Sequence, residues 1–198
     1  MLNALDICAG TGIGSAVFEA IGLARTVCYV ERAEYCQKLI QQRMRDGWLS
    51  EAPIWDDLTT FDGRPWRGCV DFIFGGIPCQ PFSVAGKRKG GADKRDLWPD
   101  MLRIIREVEP RVVLVENVRG LLSAGGGRWM GRLLGNLAES GYRVEWDVIA
   151  ASAVGAPHRR ERVWITGTRS DIWPTNELMR LRNVANTAAS LSCRGGMP

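Results

Sequence analysis

The sequence predicts an α/β domain: a mostly parallel sheet with helices on both faces and an antiparallel pair of strands at one edge. Three observations predict it. Short apolar runs rich in Val, Ile, Leu and Phe alternate with single segments of helical period. Strands separated by single helices pair in parallel, because a right-handed crossover packs the helix back onto the sheet. The last two strand-like runs follow one another with no helix between them, which fits an antiparallel edge pair.

The elements follow in order. Leu2 to Cys8 reads as a short buried strand. Ile13, Ala16, Val17, Ala20 and Ile21 recur at helical spacing and mark an amphipathic helix. Thr26 to Val30 is a second strand, and Cys36, Leu39, Ile40 and Met44 make a second helical stripe. Pro53 to Trp55 allows a third, short strand, and Cys69 to Phe74 a fourth. A Gly/Pro loop runs from Gly75 to about Lys94. Leu97, Met101, Ile104, Ile105 and Val108 mark a helix that ends before Pro110. Arg111 to Glu116 is a fifth strand. Met130, Leu133, Leu134 and Leu137 mark a helix stopped at Gly141. Tyr142 to Ile149 and Arg162 to Thr166 are the final strands. From Asp171 to Pro198 the strong apolar periodicity stops.

The 198 residues suffice for one compact domain, or one domain and a tail. Hydrophobic residues at 45% and charged residues at 24% are ordinary globular values and argue against a disordered chain. The longest charge-free stretch, Phe72 to Gly86, is broken by glycines and prolines, so no membrane-spanning helix is expected. Met1 to Asp6 has neither a basic nor an apolar signal region, which places the protein in a cytosol. The six cysteines form no Cys-x-x-Cys pair and His158 is the one histidine, so neither a metal site nor a disulfide framework is expected. No Gly-x-Ser-x-Gly elbow is present. Residues 1–150 carry 19 basic and 19 acidic side chains, while residues 151–198 carry 7 Arg against 3 acids, which is the whole net charge of +4.

The residues that carry chemistry stand at strand ends. The first strand runs into Asp6-Ile7-Cys8-Ala9-Gly10-Thr11-Gly12-Ile13-Gly14. Glycines there let the backbone approach a ligand while the next helix offers its N-terminus. Glu31 closes the second strand, where an acidic residue suits hydrogen bonds to ribose hydroxyls. Taken alone, this pair fits NAD as well as S-adenosylmethionine. The loop after the fourth strand holds Pro78-Cys79-Gln80-Pro81-Phe82-Ser83. A cysteine on a proline-stiffened loop near cations suits a reactive thiolate. Lys87, Arg88, Lys89, Lys94 and Arg95 follow against Asp93 alone, an electrostatic footprint for a polyanion. The fifth strand ends in Glu116-Asn117-Val118, and a carboxylate there is costly unless used or paired. Arg159, Arg160 and Arg162 precede the last strand, and the alternation of Arg160 and Arg162 predicts a shared strand face.

In order and spacing these elements resemble the DNA cytosine-5 methyltransferases, over residues 2 to about 168. Gly10-x-Gly12 after Asp6 is similar to their first cofactor-binding motif, Pro78-Cys79-Gln80 to their nucleophile motif, and Glu116-Asn117-Val118 to their Glu-Asn-Val element. His158-x-Arg160-x-Arg162 is similar to their Gln-x-Arg-x-Arg element, and Asp93 to Leu97 to the short element bearing a cofactor-contacting leucine. The resemblance implies a Rossmann-like fold that uses S-adenosylmethionine, leaves S-adenosylhomocysteine and needs no metal. It implies cofactor contacts from Asp6, Cys8, Gly10, Gly12, Glu31, Arg32, Asp57 (or Asp56), Pro78 and Leu97. It implies DNA contacts from Gln80, Ser83, Lys87, Arg88, Lys89, Arg95 and Arg159. It implies catalysis by Cys79, which attacks carbon 6 of a flipped cytosine, and by Glu116 at N3, with Arg160 on the ring oxygen or adjacent phosphate and Arg162 in support.

Three residues depart from the family pattern. Cys8 stands where Phe is usual, Asp96 replaces the glycine before Leu97, and His158 replaces Gln. The family also continues into a target-recognition region and two further motifs, which Asn183 to Asn186 does not convincingly supply. Residues 1–168 therefore read as a catalytic domain, and 169–198 as a tail, the start of a missing or truncated recognition region. The implied partners are double-stranded DNA and a second polypeptide carrying that region, in a prokaryotic or phage-encoded cytoplasmic enzyme. The alternatives are a fragment that binds without turnover, a cytosine-5 methyltransferase acting on tRNA, and a nicotinamide-dependent oxidoreductase supported only by Gly10 to Gly14.

Overall fold

A computed structural model of the chain describes residues 1–78 and 96–169. Among them eleven elements build the frame: β1 (Leu2–Ile7), α1 (Ile13–Ala20), β2 (Ala24–Val30), α2 (Glu34–Arg45), β3 (Ile54–Trp55), β4 (Phe72–Gly76), α3 (Trp98–Val108), β5 (Val112–Val118), α4 (Arg128–Glu139), β6 (Tyr142–Ala150) and β7 (Glu161–Arg169). The strands form one seven-stranded sheet in the order β3-β2-β1-β4-β5-β7-β6. β1 to β5 run parallel, whereas β7 runs antiparallel to both β5 and β6. The expected α/β architecture with its antiparallel edge pair is therefore present.

Winding changes direction between β1 and β4, the two central parallel neighbours. In open α/β sheets that point opens a crevice at the carboxyl ends of the strands. One face of the sheet buries Ile73, Val113, Val115, Val163 and Ile165 with Met101, Ile104 and Ile105 of α3 and Leu133 and Leu137 of α4. On the other face Phe18 of α1 packs edge-on against Phe72 and Phe74 of β4. Ile40 of α2 joins Tyr29 and Leu49 on that same layer.

Local chemistry explains where the boundaries fall. Pro99 stands in the first turn of α3, where a missing N–H costs nothing. Glu109 closes that helix in a left-handed conformation (φ 52°), and Pro110 follows. β4 begins at Phe72 rather than Cys69, because the Cys69 and Val70 amides turn back to the Trp66 carbonyl. It extends to Gly76, and Gly75 is needed there: a Cβ on it would lie 2.2 Å from the Ile7 carbonyl oxygen. β5 runs to Val118 rather than ending at Glu116, since β7 supplies partners as far as Val118 opposite Arg162.

Two sequence expectations are corrected. Arg160 does not share a strand face with Arg162, because β7 starts at Glu161 and the Ala151 amide bonds the Arg159 and Arg160 carbonyls in the preceding turn. The apolar stripe of α1 does not face the sheet either. Ile13, Val17 and Ile21 are 60%, 52% and 55% exposed, whereas Ser15 is fully buried. Inward-facing Ser15 is held by polar partners on β1 and β2, and Phe18 fills the remaining space.

Candidate active site

The crevice between β1 and β4 is lined by the loops that follow the parallel strands. After β1 the chain turns through Cys8, Gly10 and Gly12, all at positive φ (55°, 55° and 75°). Gly12 is the N-cap of α1, has no side-chain cap, and lies so close to Leu49 that a Cβ would come within 2.8 Å of Cδ1. A Cβ on Gly10 would meet nothing within 4 Å, so that backbone faces open space. Uncapped amides at a helix start and an open glycine backbone make a cradle for an anionic or carboxylate group.

Glu31 secures this loop. It is only 9% exposed, and its Oε2 accepts the Gly10 amide at 2.7 Å while Oε1 accepts the Ala33 amide at 2.7 Å. One carboxylate thus joins the turn after β1 to the start of α2. Arg43 of α2 donates to the Thr11 carbonyl and fixes the other side of the same turn. Arg32 projects as an exposed neighbour. Asp57 opens the turn after β3, its Oδ1 accepting the Thr59 amide at 2.9 Å and hydroxyl at 2.8 Å. Those bonds hold its carboxyl below the usual carboxylate range. Asp56, the other candidate, is exposed.

Asp6 sits beneath the loop rather than open to it. It is 3% exposed, and its Oδ2 accepts the Ser15 hydroxyl at 2.7 Å; the Thr26 hydroxyl donates in turn to Ser15 Oγ at 2.7 Å. Burial pushes the Asp6 carboxyl up to about 7, with the Glu31 charge adding to the rise and the Ser15 bond opposing it. Burial first, then the charges of Glu31 and Asp6, push the Cys8 thiol up to about 12. Burial does the same to Cys28, again to about 12. Both stay protonated at neutral pH and cannot serve as nucleophiles.

On the far side of the crevice, Glu116 of β5 takes Arg162 Nε of β7 at 2.6 Å. The two lie near the ends of neighbouring strands, where the register sets Glu116 opposite Trp164 and Val118 opposite Arg162. Glu116 also neighbours Gly76 of β4, and a Cβ there would stand 3.1 Å from its Oε2. Gly76 precedes Pro78, which is exposed, and then Cys79 in the sequence. Asn117 is buried, its Oδ1 accepting the Val118 amide at 2.8 Å.

Arg159 reaches Glu161 at 3.2 Å with its side chain 80% exposed. Arg119 pairs with the same Glu161, and the two arginines keep that carboxyl below its ordinary value. Arg160 is exposed and makes no ion pair among the described residues. Leu97, half-buried, caps α3 from the next loop along. The structure thus brings Gly10, Gly12, Glu31 and Cys8 together at one end of the crevice, and Glu116 with Arg162 at the other. Cys79, Gln80, Ser83, Lys87, Arg88, Lys89 and Arg95 lie outside the described residues. The sequence reading missed Ser15, Thr26, Arg43 and Arg119. Only Ser15, a polar residue beside the apolar positions of an eight-residue helix, left a signal that could have been followed.

Comparison with known proteins decides what this arrangement belongs to. A sequence model described as C-5 cytosine-specific DNA methylase matches residues 2–190. The chain belongs to that family. The chain is 31% identical over 181 residues to Type II methyltransferase M.NgoMIV of Neisseria gonorrhoeae, covering 87% of this chain and 55% of that protein. It is 32% identical over 194 residues to M.Eco47II of Escherichia coli, covering 90% and 44%. The chain therefore spans about half the length of these two type II methyltransferases. Among solved structures, a Spodoptera frugiperda DNMT2 mutant superposes with a TM-score of 0.72 at 21% identity, covering 89% of this chain and 53% of that one. An E. coli prophage-encoded protein described as a DNA modification methyltransferase superposes with a TM-score of 0.69. At such identities these structures establish the Rossmann-like fold.

Proposed function

We propose that this C-5 methylase chain carries the catalytic half of a DNA cytosine-5 methyltransferase that uses S-adenosylmethionine. The observation that carries the reading is the Glu116–Arg162 pair, 2.6 Å apart and lodged against Gly76, the strand end that leads into Pro78-Cys79-Gln80. A carboxylate fixed by a guanidinium, beside the segment bearing a cysteine, suits a reaction in which a thiolate and a proton-sharing acid act on one ring.

The residues fit the cofactor. Glu31, buried and aimed by two backbone amides, retains acceptor capacity for ribose hydroxyls. Asp57 offers its second oxygen to an exocyclic amine, and the uncapped start of α1 beside Gly10 suits a carboxylate. Cys8, held as a neutral thiol, supplies a small apolar wall where the family usually has Phe. When bound, S-adenosylmethionine would supply the methyl group to carbon 5, its S–CH3 bond breaking to leave S-adenosylhomocysteine.

Cys79 bonds to carbon 6 of a flipped cytosine, and the ring electrons move to carbon 5. Glu116 shares a proton with N3 and stabilises the charge that develops there, while Arg162 holds the Glu116 carboxyl in place. Carbon 5 then carries the new methyl group. Loss of its proton to a base and departure of the Cys79 thiolate restore the ring. Arg160, exposed outside β7, remains available to a phosphate or to the ring oxygen. The acidic DNA backbone would meet Arg159 and the cationic stretch 87–95, with target choice supplied by the half of the family's length beyond this chain.

The decisive test incubates the protein with S-adenosylmethionine and mixed-sequence duplexes containing 5-fluorocytosine, alone and with the unmatched portion of M.NgoMIV. A covalent adduct on a denaturing gel, lost in Cys79→Ser and slowed at least tenfold in Glu116→Gln, is the expected result. An adduct that survives Cys79→Ser overturns the nucleophile assignment. An adduct formed with tRNA and not with any duplex would move the substrate to RNA.

A further inference from the structure

We infer that Arg103 of α3 is a positioning residue for the cofactor's base: it holds the turn that carries Asp57 and so fixes the carboxylate that selects an exocyclic amine. The inference rests on the proposed use of S-adenosylmethionine, in which Asp57 meets that amine. The turn has little backbone support of its own. β3 is only two residues long, so past Trp55 the chain has no ladder to follow among the described residues. Asp57 bends the chain by accepting the Thr59 amide and hydroxyl on Oδ1, and the Thr60 and Phe61 amides return to the Asp57 and Leu58 carbonyls. Those bonds close the turn on itself, and none of them ties it to the rest of the fold.

Arg103 supplies that tie. Its Nη1 donates to the Phe61 carbonyl at 2.7 Å, and its Nη2 donates to the Leu58 carbonyl at 3.0 Å and the Thr59 carbonyl at 3.4 Å. One guanidinium thus gathers three carbonyls of a single turn, which its planar fork of donors allows and a lysine ammonium does not. Glu107, one turn further along α3, takes Arg103 Nη1 at 3.1 Å, and the same Oε2 accepts the Gly63 amide at 2.8 Å. That carboxylate aims the guanidinium and pins the chain just past the turn. The approach is close, since a Cβ on Gly63 would stand 3.0 Å from both Cβ and Oε2 of Glu107.

The placement gives the tie its use. Leu97, the other implied cofactor contact on this side, is the N-cap of the same helix, less than two turns before Arg103. α3 therefore sets Leu97 directly and Asp57 through Arg103, so the two keep a fixed separation. Leu58 and Phe61 are buried in the core and anchor the turn by their side chains. The backbone bonds to Arg103 add its orientation, and with it the direction of Asp57 Oδ2, which accepts no hydrogen bond among the described residues.

The test titrates the full chain calorimetrically with S-adenosylhomocysteine and with its purine riboside analogue, which lacks only the exocyclic amine. The wild-type chain should prefer the amine-bearing ligand by about tenfold or more, the worth of one hydrogen bond to a charged acceptor. Arg103→Lys, which keeps the charge but not the fork, and Arg103→Met should each bring that preference to within about twofold. Arg67→Met controls for stability alone: Arg67 donates to the Arg106 and Glu107 carbonyls of α3 but bonds no residue of the 57–61 turn, and its loss should leave the preference unchanged. Should the Arg103 variants unfold, Glu107→Gln loosens the same guanidinium and should narrow the preference in the same direction. A wild-type preference in folded Arg103→Lys or Glu107→Gln, or an equal loss of affinity for both ligands, overturns the positioning role. A wild-type chain that binds both ligands equally overturns this inference and leaves the cofactor reading standing, whereas one that binds neither removes the cofactor reading itself.

Discussion

Asp6 is the residue whose environment speaks most directly. Its carboxyl has left water for a buried site beside the Ser15 hydroxyl and the Glu31 charge, and its pKa rises from 3.8 to about 7. Between about pH 4 and pH 7 the folded chain therefore holds a proton there that the unfolded chain has released. Stability must fall as pH rises through that window, with the whole penalty present above about 7. Asp6→Asn keeps an oxygen for the Ser15 hydroxyl and removes the ionisation. Urea unfolding at pH 5 and pH 8 should show the wild-type chain losing about 3 kcal/mol, the roughly two pH units of that window above pH 5 at about 1.4 kcal/mol each, where the variant loses little. Equal losses in both chains would mean that Asp6 is not the group responsible. The sequence marked Asp6 as a cofactor contact because it precedes the glycine turn; its bond to Ser15 depended on a helix facing inward with its polar side. Glu31 was marked for ribose hydroxyls from its place in the sequence, and what the structure shows is its bonds to the Gly10 and Ala33 amides. A carboxylate closing a strand beside a glycine turn has few uses, and the structure aims it with two amides.

At the scale of elements, the parallel strands and their crossover helices were readable because a strand covered on both faces is a near-continuous apolar run. α1 misled because its apolar stripe obeys helical period while its packing does not follow the stripe. Periodicity reports which residues share a side, and the neighbours decide which side is inward. β7 was readable as a strand, yet its start was not, since the Ala151 amide bonds the Arg159 and Arg160 carbonyls in a turn and the ladder opens only at Ala150 opposite Glu161. Gly75 shows a constraint that spacing alone could not show. It passes β1 so closely that no side chain fits at the Ile7 carbonyl, and the backbone on both strands is locked in register. Gly75→Ala should cost about 3 kcal/mol of stability by overpacking, whereas Gly131→Ala in α4, where a Cβ meets nothing within 4 Å, should stabilise by up to about 1 kcal/mol. Thermal melts of the two variants, moving in opposite directions from the wild-type chain, are the expected outcome.

Across the whole molecule, the sheet places the Gly10–Glu31 turn and the Glu116–Arg162 pair on opposite sides of the β1–β4 junction. The Glu116–Arg162 pair belongs to the later strands of the described sheet, while the glycine turn held by Glu31 belongs to the earliest. The order of strands in space differs from their order in synthesis at one place. β7, the last strand made among the described residues, lies between β5 and β6, and β6 pairs with no other strand among them. Until residues 161–169 leave the ribosome, β6 is a strand without a sheet and β5 presents a bare edge. The final nine residues of the sheet thus act as a zipper pulled at the end of translation, and the Glu116–Arg162 pair closes with it. Ribosome-bound chains arrested with Glu161 still in the exit tunnel should be cut by protease within Tyr142–Ala150, while chains extended past Arg169 by the tunnel's length should resist there. In that sense the Glu116–Arg162 pair forms as one event with the closing of the described sheet, after every other strand in it has been made.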